Sequence, residues 1–267
     1  MATTPNITVS FLPPTRLDGY DRTRPSVAQP AGAAPPPPPL FVDAMAVREA
    51  VFVREQGVPL ACEHDGDDAR SCHWVAYSAP PAAPAPVGTL RVVPFPHPPH
   101  PAPGARYVDN VLQPPAADAA AGCPPSPPSP SPDAAAAAAA DRPTAYHDGR
   151  EPYVKLGRVA VVASARGLHV ARRLWDAAAR WLLENPDYFS APPRDGESGE
   201  GEGGGEGRDV NRGRWDGLVC CHAQETVAPV YERLGFAVDE GMGRWFEEGI
   251  PHVGMFLRLP VKREAAI

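Results

Sequence analysis

Val159-Ala160-Val161-Val162-Ala163-Ser164-Ala165-Arg166-Gly167-Leu168-His169-Val170-Ala171-Arg172-Arg173-Leu174 reads as a valine-rich strand that runs into a short turn and out into a helix. Branched side chains suit a buried, pleated ladder, so Tyr153 to Val162 is expected as a strand. Beyond the turn, Ala171, Leu174, Trp175, Ala178 and Leu182 recur at helical steps and mark one face, and Asn185-Pro186 ends the helix. The first amides of a helix have no internal partner and carry the positive end of its dipole. A diphosphate fits there. Gly167 lets the backbone approach closely, and Arg166, Arg172 and Arg173 add charge-assisted donors. The same residues also fit a tight strand–helix turn with solvated arginines.

Working outward, Ile7 to Leu12 alternates as a first strand, and Phe41 to Phe52 has a helical apolar repeat interrupted only by Arg48. Gly57 and Pro59 stop that helix. His73–Tyr77 and Val87–Val93 read as strands joined by an enlarged hairpin loop. Gly217 to His222 is a short strand, Val227 to Leu234 a short helix closed by Gly235, and Phe236–Val238 with Val253–Leu259 finish as paired strands. This order predicts an α/β or α+β fold, a sheet with helices packed on it.

The chain has 267 residues, of which 37 are proline, concentrated in runs with alanine, glycine or serine. Such runs bury little apolar surface against the entropy of ordering them. They predict low-complexity insertions at about 23–40, 78–86, 94–143 and 190–213, within one domain spanning 1–267. A net charge of −7 disfavours nucleic acid or an anionic membrane as the main partner. Cys62, Cys72, Cys123, Cys220 and Cys221 are odd in number and form no C-x-x-C pair, which fits a reducing compartment. No apolar run reaches spanning length, so the expectation is a soluble protein, cytoplasmic or nuclear. The acid-rich turn Glu63-His64-Asp65-Gly66-Asp67-Asp68 only partly follows a calcium loop, so it is read as a solvated turn or a substrate-amine pocket, with no metal expected.

Arg166-Gly167-Leu168-His169-Val170-Ala171 resembles the cofactor signature of the GNAT acetyltransferase superfamily, Arg/Gln-x-x-Gly-x-Gly/Ala. His169 stands where the superfamily usually has glycine, and is expected to point into solvent. Tyr231, followed by Glu232-Arg233-Leu234-Gly235-Phe236, is similar to the tyrosine of the superfamily's closing helix. Ala50 to Pro59 with Glu63, Asp65, Asp67, Asp68 and His73, and Glu248-Gly249-Ile250-Pro251-His252-Val253-Gly254-Met255, resemble segments of the ElaA-like branch.

The resemblance implies a mixed, mostly antiparallel central sheet flanked by helices, and acetyl-CoA as co-substrate. Val159, Ala160 and Val161 would hold the pantetheine arm, and Arg166, Gly167, Leu168, His169, Val170, Ala171 and Arg172 the diphosphate. Tyr231 would be the general acid, with Glu55 first among candidate bases and His73 and His252 behind it. The implied reaction is direct acetyl transfer to a primary amine in a ternary complex, the amine being a small molecule or a peptide and an amino-sugar phosphate one option; a homodimer stays open. The alternatives are a non-catalytic acyl-CoA-binding module and an interaction protein displaying polyproline ligands.

Overall fold

The computed structural model describes residues 6–79, 84–108, 111–113, 141–190 and 213–262. In chain order the elements are β1 (Asn6–Leu12), α1 (Pro39–Arg48), α2 (Leu60–Glu63), β2 (Cys72–Ala79), β3 (Ala85–Val93), β4 (Arg106–Val108) and β5 (Val111–Leu112). Then follow β6 (Val154–Val161), α3 (Val170–Glu184), β7 (Leu218–Gln224), α4 (Ala228–Arg233), β8 (Ala237–Val238), β9 (Arg244–Glu247) and β10 (Ile250–Arg258). A π-helical turn, Glu49–Glu55, continues α1 to the point where Gly57 was expected to stop it.

The strands form one sheet in the order β1-β2-β3-β6-β7-β10-β9-β4-β5, with β8 on β10. All pairs are antiparallel except β6–β7 and β4–β9. The fold is thus mixed α/β with a mostly antiparallel central sheet. Helix α3 buries Val170, Leu174, Trp175, Ala178 and Leu182 against one face. Val170 takes the place expected of Ala171, which is half-buried. On the opposite face α1 packs Phe41 and Met45 with Leu17 and Tyr20, and the far end of the sheet carries Tyr153, Trp245, Met242 and Phe256.

An irregularity in β6 shapes everything around it. Thr89 of β3 faces Ala160 but Arg91 faces Gly157, so β6 carries an extra residue there. Arg158 sits in this bulge with φ +50°. The face-to-face alternation flips across it. Val154 and Leu156 pack into the α3-side core; past the bulge Val159 and Val161 pack there, and Ala160 turns to Val47 and Val51 beneath α1. Pairing of β6 with β7 is confined to Val154, Lys155 and Leu156. Beyond Leu156 the two parallel strands diverge.

Several sequence expectations need correction. The acid-rich turn is not solvated. Glu63, Asp65 and Asp68 are 2%, 6% and 0% exposed. Arg48 Nε donates to Glu63 at 2.6 Å and its Nη1 to Asp68 at 2.7 Å, while Arg91 reaches Asp65 and Asp68, each at 2.6 Å. Arg158 adds pairs to Glu63 and Asp65 at 3.0 and 3.1 Å. Three guanidiniums meet three carboxylates, so the buried charge closes to zero. Residues 23–40 are not a loose insertion either: Ser26 donates through its N–H and hydroxyl to the Glu49 carboxylate at 2.7 and 3.1 Å, seating the proline-rich stretch on α1. Of residues 94–143, positions 94–108 and 141–143 pack on the sheet. The Arg142 guanidinium donates to the carbonyls of Gly241, Pro101 and Met242, and β4 joins β9. Charged and aromatic side chains scattered through a proline-rich composition supply these anchors. Positions 80–83 of the hairpin loop, and 114–140 and 191–212 of the insertions, lie outside the described residues.

Candidate active site

The divergence of β6 from β7 opens a cavity of about 1170 Å³. One wall is the α3 turn. Gly167 has φ +80°, which favours glycine, and His169 caps α3 in the left-handed region at φ 58°, ψ 24°. That conformation explains why glycine suits this position; histidine holds it at a cost of roughly 1 kcal/mol. His169 is exposed and borders the cavity. The first helical bond runs from Arg173 N–H to the His169 carbonyl at 3.0 Å. The amides of Val170, Ala171 and Arg172 precede it and have no intrahelical acceptor. Val159, Ala160 and Val161 line the cavity beside them; Leu168 is half-buried against the α3-side core. Free helix-start amides, an unpaired strand edge and Arg166 together fit a diphosphate with an extended arm.

Two bridges span the cavity mouth. Arg166 pairs with Glu55 at the end of the π-helical turn. Gln56 and Gln224 exchange reciprocal amide hydrogen bonds at 3.3 and 2.8 Å. Glu55 therefore lies in the cavity wall but is engaged by a guanidinium. π-Helical turns of this kind recur at functional sites.

Tyr231 of α4 lines the cavity and is 8% exposed. Burial, with the neighbouring Cys221 thiol, pushes its phenol well above the ordinary value, so it holds its proton throughout the physiological range. His73 does not reach the cavity, contrary to its nomination as a base. It is 1% exposed, bonds through Nε2 to the Asp68 carbonyl at 2.8 Å and packs edge-on to Phe41. Burial pushes its pKa down to about 4. His252, the remaining nominee, does line the cavity.

Sequence reasoning missed two wall residues, His222 and Glu247. Arg244-Trp245-Phe246-Glu247 pairs with β10 across a two-residue turn in which Glu248 and Gly249 have φ +50° and +76°. Paired positive φ values make a tight hairpin turn, and Glu248-Gly249 between alternating residues was the available signal. The hairpin brings Glu247 to His222, which donates from Nδ1 to Oε1 at 2.9 Å, and Trp245 Nε1–H donates to the same oxygen at 2.8 Å.

Among the described residues, one group could offer three metal ligands: His100, Asp141 and His147. None of them lines the cavity. No helix among the described residues is long and apolar enough to cross a membrane.

No protein-family model matches the sequence, and no curated protein matches it. Solved structures do. The chain is similar to a Lactobacillus plantarum protein assigned as an N-acetyltransferase, with 19% identity, TM-score 0.47, and 95% of this chain and 98% of that one covered. It is similar to Escherichia coli ElaA, with 17% identity, TM-score 0.45, and 94% and 99% covered. It is also similar to an acyl-CoA N-acyltransferase from Pseudomonas aeruginosa, with 15% identity, TM-score 0.44, and 94% and 99% covered.

Proposed function

We propose that this chain is an N-acetyltransferase that moves an acetyl group from acetyl-CoA to a primary amine by direct transfer. The observation that carries the reading is the divergence of β6 from β7, with free helix-start amides at its mouth and a protonated phenol in its wall. Acetyl-CoA, when bound, supplies an acetyl group activated as a thioester. Arg166 and the amides of Val170 to Arg172 hold the diphosphate. The strand edge at Val159 to Val161 orients the arm and offers N–H groups to the oxygen that gains charge. Tyr231 holds the proton that the departing sulfur needs. Cys220 and Cys221 are fully buried, and burial pushes the Cys220 thiol up to about 12, which suits core residues rather than an acyl-carrying nucleophile.

The test is release of CoA in the presence of a panel of primary amines. Tyr231→Phe is expected to lower kcat at least ~100-fold, in the range of general acid catalysis, with CoA affinity unchanged. An unchanged kcat removes Tyr231 from the chemistry. Tight CoA binding without turnover on any amine favours an acyl-CoA-binding module instead.

A further inference from the structure

We propose that Glu247, flanked by His222 and His252, is the acceptor seat: it binds a primary ammonium on the sheet face opposite α3, and His252 takes the proton. This deepens the acetyl-transfer reading and rests on it for the chemistry, though not for the binding.

The two faces of the sheet separate the roles. Along β7, Val219, Cys221 and Ala223 pack with Tyr231 in the α3-side core, whereas Leu218 and Cys220 belong to the opposite cluster with Trp245. His222 follows Cys220 by two residues and meets the Trp245 ring edge-on, with centroids 4.7 Å apart. Along β10, Val253 and Met255 face α3; His252 lies over Trp245 on the other side, with centroids 6.4 Å apart. Tyr231, His222, Glu247 and His252 nevertheless line one cavity, because the divergence of β6 from β7 opens the sheet between its faces. A cofactor entering along α3 and an acceptor entering from the Trp245 side would meet there.

The hydrogen bonds at the seat leave it short of donors. Glu247 Oε1 takes both the His222 and the Trp245 N–H groups. Among the described residues, Oε2 receives no hydrogen bond. His252 Nδ1 lies 2.8 Å from the Ile250 carbonyl, which only accepts, so in the neutral ring Nδ1 carries the proton and Nε2 presents a lone pair. That nitrogen is 3.9 Å from Glu247 Oε2. Two acceptors face each other across a gap too wide for a direct bond. A nitrogen about 2.8 Å from each, an ordinary charge-assisted distance, fills it. An ammonium brings three N–H donors to such a place, whereas an alcohol brings one.

The charge agrees. Burial opposes ionisation of Glu247, but the His222 hydrogen bond and the neighbouring basic groups outweigh it and hold the carboxyl well below its ordinary range. Burial and the positive charge of Lys155 push His222 down to about 4, leaving a neutral ring. The seat is thus anionic in a wall where Glu247 is 27% exposed and His252 9%. Lys155 on β6 and Glu248 in the hairpin turn contribute one charge of each sign.

In the step, one ammonium proton passes to His252 Nε2, giving an imidazolium beside the Glu247 carboxylate. The freed lone pair forms the N–C bond as the C–S bond breaks. Nitrogen sheds a second proton as the amide forms; passed through water, it restores the Tyr231 phenol that gave its own proton to sulfur.

The test uses the full chain, with and without CoA, titrated with n-butylammonium and separately with 1-butanol. Calorimetry reads affinity, and the imidazole NMR signals of His222 and His252 read location. Butylammonium is expected to saturate, shift both signals and bind at least tenfold more tightly than butanol. Glu247→Gln keeps an acceptor for His222 and Trp245 and is expected to lose at least tenfold in that affinity. His252→Gln is expected to retain binding within threefold while kcat falls more than tenfold. Equal binding of butanol, undiminished binding by Glu247→Gln, or no saturable binding overturns the proposal. Should Glu247→Gln fail to fold, the ammonium-to-alcohol ratio of the unaltered protein decides. None of these binding readouts requires turnover, so absence of acetyl transfer counts against the enzymatic reading alone.

Discussion

His73 and His222 have pKa values pushed down to about 4 by burial, against about 6.5 for an unperturbed imidazole. Below the unfolded value the unfolded chain binds protons that the native rings refuse, so acid favours unfolding. Their neutral burial costs nothing above pH 6.5, and stability is lost progressively as pH falls from there towards 4. At pH 5 each ring should cost about 2 kcal/mol relative to pH 7. Native carboxylates held low, such as Asp65, add their loss only below about pH 4. The denaturant midpoint is therefore expected to drop between pH 7 and pH 5; a flat midpoint contradicts the burial of these rings as neutral groups. Residue identity gave little warning of which histidine would do what. Motif resemblance points to His73 and His252, yet His73 is sealed under Phe41 while His222, to which no motif points, reaches the cavity. The deciding partner of His222, Glu247, is 25 positions away and arrives through the β9–β10 hairpin, whose four-residue first strand carries too short a period to read.

At the scale of elements, periodicity did its work wherever an element stands on a core. The α3 face and the short α4 before Gly235 follow their apolar spacing closely, and β6 occupies the valine-rich run although its bulge flips the alternation. The acid-rich turn shows where spacing stops informing. The six consecutive polar or glycine residues look solvated because the arginine partners of the buried Glu63, Asp65 and Asp68 lie on α1, β3 and β6, at least 15 positions away. The turn has a structural job: it ties Arg158, the residue held at φ +50° in the β6 bulge, to α1 and β3. The bulge in turn separates β6 from β7 and makes the cavity. Arg48→Met should leave Glu63 and Asp68 buried with one partner fewer and cost about 3–5 kcal/mol, read as a lowered urea midpoint with unchanged m. A loss below 1 kcal/mol would mean the network relaxes to admit water and does not brace the bulge.

Across the whole molecule, the mixed sheet and its helices were legible from the alternation of strand and helix patterns. The far edge was not. β4 and β5 lie inside a proline-rich stretch, and β9 is four residues long, so neither composition nor period announced them. They matter because β9 and β10 complete the wall opposite α3, and with it the proposed acceptor side. The account as a whole stands on the cavity between β6 and β7 being an acyl-CoA site. Calorimetric titration of the full chain with CoA tests that most directly, alongside Arg166→Ala. The account predicts one saturable site, weakened at least tenfold by the substitution, as expected for losing a charge-assisted hydrogen bond of about 1.5 kcal/mol or more. Absence of saturable binding, or equal affinity in the variant, would contradict it.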